Sequence, residues 1–342
     1  MPSTPVVVLD STLTNIADAI RGKNGSSDTY KPSEMPAAIT AIPSGGGEGI
    51  PREVDANGVY GMPTQSFIFS LPANATSIST YALNGAFYTC PSITSANLSS
   101  LTAVSGNYAF NNAFFACPAL TTVDLGSLAT VTGIGAFSYA FYGSSHLESI
   151  DLGALTTINA SQAFDYACYN CTSLRSVDFS SLTTVSGDNA FRYAFYGCSS
   201  LGPVDFSSLT SAGDDTLSYA FQRCTSLTSA DFSALQTAGK NTFSNTFVGC
   251  SALSSVDFSS LSYIGAPFVF NSAFQGCTSL TSLSFPALTT NSFSMYTNQF
   301  IHMLSGVTGC TVHFPAAVQA KIESMSGYPN FDGTNTTVLF DL

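Results

Sequence analysis

The side chains able to do chemistry in this chain recur at fixed spacing. Seven of nine cysteines, Cys90, Cys117, Cys171, Cys198, Cys224, Cys250 and Cys277, lie 26 or 27 residues apart once Ser144 fills the one gap. Thiolates ligate zinc when several converge on one point, but cysteines one repeat apart point the same way. The spacing therefore predicts a ladder of buried thiols behaving as small apolar residues. Cys168 and Cys171 have CxxC spacing, yet Cys168 replaces a recurrent phenylalanine and no histidine is near, so no metal site is expected. Asp124, Asp151, Asp178, Asp205, Asp231 and Asp257 follow the anchor column by seven. They form a polar strip on an exposed strand face, read as bonding to neighbouring Ser and Thr hydroxyls or solvation, or as a strip for a cation or polar ligand. Oxygen ligands favour calcium, but one flat column lacks a loop to complete its coordination. Tyr139, Tyr166, Tyr193 and Tyr219 lie five before the anchors, and Tyr142, Tyr169 and Tyr196 lie two before them. Tyrosine offers rigid area and a hydroxyl at low entropic cost. These seven are the candidate ligand-binding residues, suited to stacking on sugar rings or docking a protein; the structural alternative is packing between repeats.

Catalytic patterns are missing from the sequence. His146, His302 and His313 are scattered, and there is no nucleophile elbow, P-loop or dinucleotide fingerprint. Two carboxylates can suffice for glycoside hydrolysis, which leaves a polysaccharide depolymerase as the enzymatic alternative to a non-enzymatic protein without cofactors. Only 9% of the residues are charged and the net charge is −12, against a usual charged fraction of about 25%. Nucleic acid is not an expected partner, since phosphate binding needs Lys and Arg. Membrane insertion is not expected either, because no apolar run approaches the roughly 20 residues a spanning helix needs. Met1 to Leu9 lack a basic region followed by a long apolar core, so ordinary secretion is not expected.

The elements that must hold these columns come from aligning the chain with itself. Position +3 from the anchor is Ile93, Leu120, Leu147, Leu174, Leu201, Leu227, Leu253 and Leu280, and +11 is Leu in all eight units. Position +6 is Ala, Val, Ile or Leu, and +8 is Leu and then Phe. Before the anchor, Phe recurs at −3 and −7 and Ala at −4. The run −7, −4, −3, 0 has helical spacing and predicts a short helical turn. The pair +6, +8 predicts a short strand with both apolar side chains inward. One unit cannot bury its stripe alone, whereas stacked units can. The expected fold is an α/β solenoid, a right-handed stack of about eight units with a parallel sheet on one face, short helical turns on the other, and end caps.

The segments Ala113-Phe114-Phe115-Ala116-Cys117-Pro118-Ala119-Leu120 and Ala194-Phe195-Tyr196-Gly197-Cys198-Ser199-Ser200-Leu201 resemble the BspA-type leucine-rich repeat of bacterial surface and phage proteins. The resemblance covers residues 81–290, in units a few residues longer than that family's usual form. Residues 1–43 read as a helical hairpin with Leu13, Ile16, Ile20 and Ile39 among its apolar positions. Residues 44–58 read as a Gly-rich linker, 59–290 as the solenoid with its N-terminal cap, and 291–342 as a C-terminal cap. The segment Leu13 to Gly25 is similar to an N-terminal segment of structural proteins of phages and prophages of Gram-positive hosts. That resemblance implies a virion-attachment module, with those four apolar residues docking other virion proteins. The solenoid would then be displayed on a tail or capsid surface toward a bacterial surface glycan or protein. The implied location is the virion, after assembly in the host cytoplasm; a homo-oligomer is compatible, though no heptad indicates one. The rival implied by the same family is a bacterial cell-surface adhesin.

Overall fold

The computed structural model describes residues 6–8, 53–54, 60–61, 66–71 and 73–342. The body is a parallel-strand solenoid of about 10 turns with little helix. Each coil contributes three sides. On the first, strands Val6–Val8, Phe67–Ser70, Ile93–Asn97, Thr122–Asp124, Ser149–Asp151 and Ser176–Val177 form one parallel sheet in that order. The ladder lapses at the next coil because Pro203 has no N–H to give. It resumes through Val204–Asp205, Ser229–Asp231 and Ser255–Asp257, and again through Ser282–Ser284, Thr311–His313 and Thr337–Leu339. The stack of strands thus runs on past residue 290, to Leu339.

The second side was not foreseen. Two-residue strands Ala103–Val104, Thr130–Val131, Thr157–Ile158, Thr184–Val185, Ser211–Ala212 and Thr237–Ala238 make a second parallel sheet, all in register. Their inward residues fall at +14 and are buried, while Thr and Ser at +13 point out.

On the third side the expected helical turns are replaced by a ribbon of β-turns. In one coil Ala140, Tyr142 and Ser144 donate their N–H to Phe137, Tyr139 and Phe141, three residues back. The alternate N–H groups of Tyr139, Phe141 and Gly143 donate to Asp165, Ala167 and Tyr169 of the next coil at 2.8–2.9 Å. Every fourth residue takes positive φ, as in Gly135 (58°), Tyr139 (56°) and Gly143 (69°). A four-residue superturn turns −8, −7, −4, −3 and 0 inward, the same spacing a helix would show. The ribbon wins because it spends half its N–H groups sideways. A helix would satisfy its own donors, and at about 10 Å across it would force apart coils that the sheets hold at about 4.8 Å. The α-helix among the described residues is the five-residue Gln319–Glu323, entered from a 3-10 turn at Ala316–Val318.

The interior is one continuous core of identical neighbours. The +11 leucines are buried from Leu101 to Leu288. Phe179, Phe206, Phe232, Phe258, Phe285 and Phe314 stack in sequence with centroids 4.8–5.7 Å apart. In the −3 column Phe195, Phe221, Phe247 and Phe274 do the same at 5.4–5.8 Å. The columns meet edge-on, as in Phe206 against Phe221 at 69°.

The cysteine column is buried and unbridged. From Cys117 onward each thiol of the column donates to the carbonyl of the −3 residue one coil back: Cys117 to Phe87 at 3.0 Å, Cys171 to Phe141 at 3.1 Å, Cys224 to Phe195 at 3.1 Å and Cys277 to Phe247 at 3.1 Å. Ser144 keeps the bond with its hydroxyl, at 2.8 Å from the Phe114 carbonyl oxygen. The column therefore asks for a small side chain that is mostly apolar and carries one donor, which Cys supplies better than Ala or Val. Burial raises the thiols: Cys250 is pushed up from 9.0 to about 12 and Cys310 to about 11, and Cys117, Cys198, Cys224 and Cys277 also rise.

Phe221 is fully buried and stacks on both sides. Its replacement by Ala is expected to cost about 3–5 kcal/mol in denaturant unfolding; a loss under 1 kcal/mol would contradict the continuous core. A thiol reagent at pH 8 should find no cysteine in the folded chain and all nine after denaturation. Because the folded thiols hold their protons more tightly than unfolded ones, their contribution to stability is whole below pH 9.0 and is lost as pH rises toward about 12. The melting temperature should fall across that window.

Candidate functional site

The aspartate strip is used by the fold. One carboxylate oxygen of each aspartate accepts the backbone N–H two residues on: Gly126 to Asp124, Gly153 to Asp151, Ser180 to Asp178, Ser207 to Asp205, Ser233 to Asp231 and Ser259 to Asp257, at 2.7–3.1 Å. Asn97 does the same for Ser99. These bonds shape the turn that leaves each first-side strand. The Ser180 hydroxyl and amide hold the Asp178 carboxyl below its ordinary range. The outer carboxylate edges and the +5 hydroxyls line two shallow depressions, one of about 510 Å³ over Thr122 to Asp205 and one of about 450 Å³ over Ser229 to Pro286.

The seven tyrosines are brought together on the ribbon side. Tyr139, Tyr166, Tyr193 and Tyr219 stack at 4.9, 4.6 and 4.4 Å. Beside them Tyr142, Tyr169 and Tyr196 stack at 4.8 and 4.4 Å, with planes within 3° of parallel. The two ladders lean on one another at 5.7–6.1 Å. All seven rings are half-buried. Their faces are taken by neighbouring rings, so the ladder presents hydroxyl-bearing edges, and a sugar cannot lie flat on an inner ring. Burial raises Tyr139, Tyr166 and Tyr169 and pushes Tyr193 up to about 12. These four phenols therefore keep their protons at physiological pH and can donate.

Two features of this surface escaped the sequence reading. Asp165 and Arg192 occupy the same position in successive coils and form a two-pronged ion pair, Nε to Oδ1 and Nη2 to Oδ2, both 3.1 Å. The Asp165 side chain is 5% exposed; burial pushes its carboxyl up while the Arg192 bonds pull it down. The Arg192 guanidinium also lies 5.8 Å from the Tyr166 ring centre. Arg223 stands 5.6 Å from the ring centre of Tyr196, the last ring of its column. Opposite charges 27 residues apart in one column were the available signal for the first pair.

Other candidates disperse. His302 pairs with Asp332, and His313 Nδ1 lies 2.9 Å from Asp341. Both bind the last coil to the one before. His146 lies beside Ser145. Among the described residues no group of three or more His, Cys, Asp and Glu could hold a metal ion, and no helix is long and apolar enough to cross a membrane. The proposed anchoring residues Leu13, Ile16, Ile20 and Ile39 lie outside the described residues.

With this geometry, the chain was compared with known proteins. Residues 60–193 and 166–299 match, in six copies, the family model described as BspA type leucine rich repeat region. A search of curated proteins finds no match. Similar solved structures include the leucine-rich repeat protein of T. pallidum, 18% identical over 80% of this chain and 87% of that one, with a TM-score of 0.36. The pneumococcal vaccine antigen PcpA is 17% identical over 86% and 71%, at 0.35. A leucine-rich cell surface protein of Faecalibacterium prausnitzii is 16% identical over 84% and 92%, at 0.24. The family model spans well over half of the sequence, and the chain belongs to the BspA type leucine rich repeat family.

Proposed function

We propose that this chain is a non-enzymatic recognition protein that holds its solenoid out at a surface and adheres to a bacterial surface glycan or protein, as an adhesin does. The observation that carries the reading is the double tyrosine ladder. The cysteine column is buried and each carboxylate of the aspartate strip already holds a backbone N–H, whereas the ladder turns a row of hydroxyl-bearing edges outward. Such a surface suits a polyhydroxylated or peptide partner, with Tyr giving area and hydrogen bonds together. A right-handed wind, the rule for a strand–crossover–strand connection, belongs to this reading.

Display on a phage particle, at the tail or on the capsid, is the second reading. The similarity of Leu13 to Gly25 to phage structural proteins supports it, and it makes other virion proteins the partners of residues 1–43 and the particle surface the location.

The purified chain should bind isolated Gram-positive cell walls and release no reducing sugar from them. Sugar release would turn the reading toward a depolymerase, and absence of binding would remove the adhesive role. Deleting residues 1–43 should leave wall binding within about twofold while abolishing incorporation into particles; normal incorporation would sink the virion reading alone.

A further inference from the structure

Few positive charges are available on this solenoid, and two of them are committed. Residues 73–342 contain Arg175, Arg192, Arg223, Lys240 and Lys321. Lys321 donates its Nζ to the carbonyls of Ser294 and Tyr296 at 3.1 and 3.2 Å. Arg192 is held by Asp165. Arg223 differs: it is exposed, it has no carboxylate partner among the described residues, and it is placed over Tyr196. A guanidinium over an aromatic ring gains from the ring's quadrupole and keeps its N–H donors free for a carboxylate or phosphate, which it can grip with two parallel bonds.

The surroundings favour an anion at this point. Both ladders end here. Tyr196 is followed by Gln222 and Tyr219 by Asn245, so Tyr219 has one ring face that no aromatic covers. The adjacent phenol hydroxyls can donate toward a negative group. Asp214 and Asp215 lie nine and eight residues before Arg223 at the far corner of the ribbon, where Asp214 accepts the Lys240 N–H, and Asp231 lies eight residues after it on the first-side strand, where it accepts the Ser233 N–H. The aspartate strip belongs to another side of the coil, where each carboxylate already accepts a backbone N–H, and its field is damped over a screening length of about 8 Å in physiological salt.

We propose that Arg223, with the phenol edges of Tyr193, Tyr196 and Tyr219, binds an acidic group, phosphate or carboxylate, carried by a polyhydroxylated surface polymer. This inference rests on the recognition reading and names the ligand chemistry of its surface. The acidic group meets the guanidinium, and hydroxyls of the polymer meet the tyrosine edges spaced along the stack.

The test uses the full chain, immobilised, against poly(glycerol phosphate), polygalacturonate and neutral dextran of similar length. At least one of the two anionic polymers is expected to bind, with affinity falling as salt rises, and dextran is not; the polymer that binds identifies phosphate or carboxylate. Arg223→Ala should weaken that binding about tenfold, Arg223→Lys should restore part of it, and Arg175→Ala, on another coil, should leave it unchanged. Arg223 is exposed, so an unchanged thermal melt verifies that the variant folds. Failure of both anionic polymers to bind, equal binding of dextran, or full affinity in Arg223→Ala overturns the proposal. Whole-cell binding separates the two levels. Cells held equally by wild type and Arg223→Ala reject the anion site and leave recognition standing, whereas cells held by neither reject recognition itself.

Discussion

Every residue in the body must find its counterpart one coil away, at the spacing of a hydrogen-bonded strand pair. Both sheets impose that spacing through parallel ladders, and the turn ribbon imposes it again by sending every second N–H to the next coil. Changes of length are therefore confined to corners. Cys198 to Cys224 and Cys224 to Cys250 are 26 residues where their neighbours are 27, and the missing residue lies between the second sheet and the ribbon. In the longer coils that corner is packed against the preceding coil: a Cβ on Gly187 would come within 2.0 Å of the Ala160 carbonyl oxygen. In the shorter coils Thr216 and Thr242 replace the buried alanine there and donate to the Gly213 and Gly239 carbonyls. The tightened corner thus keeps its polar groups paired.

The same constraint explains what the sequence could reveal. A column such as the +11 leucines or the thiols is visible because each coil repeats the same demand. The second sheet was not visible because each of its strands turns in a single apolar residue, Val104, Val131, Ile158, Val185, Ala212 or Ala238, and one residue shows no alternation. The ribbon was mistaken for helix because a four-residue superturn and a helix bury the same positions. Its true signal was the run of Gly and Asn at −9, −5 and −1, seen in Gly135, Gly143, Asn241, Asn245 and Gly249, all with positive φ. The coils beyond 290 were missed because Val307 takes the anchor place only after a gap of 30, from 277 to 307, which breaks the alignment. The tyrosine columns were legible as columns, but that their faces close on one another was not, since spacing does not report ring orientation.

Stacking like on like also sets the surface chemistry. Identical charges one coil apart repel by roughly 1 kcal/mol even in water, so a column of them is costly at every step. Ser, Thr, Asn and Tyr carry no such cost, which accounts for a chain in which 9% of residues are charged. The aspartate strip survives because each carboxylate is held by a backbone N–H. Asp165 beneath Arg192 is the other solution, with the sign alternating between coils.

The tyrosines at −5 need a different account. A non-glycine residue in the left-handed region costs about 1–2 kcal/mol, and Tyr139, Tyr166, Tyr193 and Tyr219 all sit there, at φ 56–60°. Stacking an aromatic pair returns about 0.5–1.5 kcal/mol, so the column comes close to neutral for stability. Gly85, Asn112, Asn245 and Ser272 fill the same place in other coils, also at positive φ, and the stack runs through them without a break. Four consecutive tyrosines stand, beside a second tyrosine ladder, at a position that glycine, asparagine and serine fill in other coils, so what the fold requires there is a positive φ and not an aromatic ring.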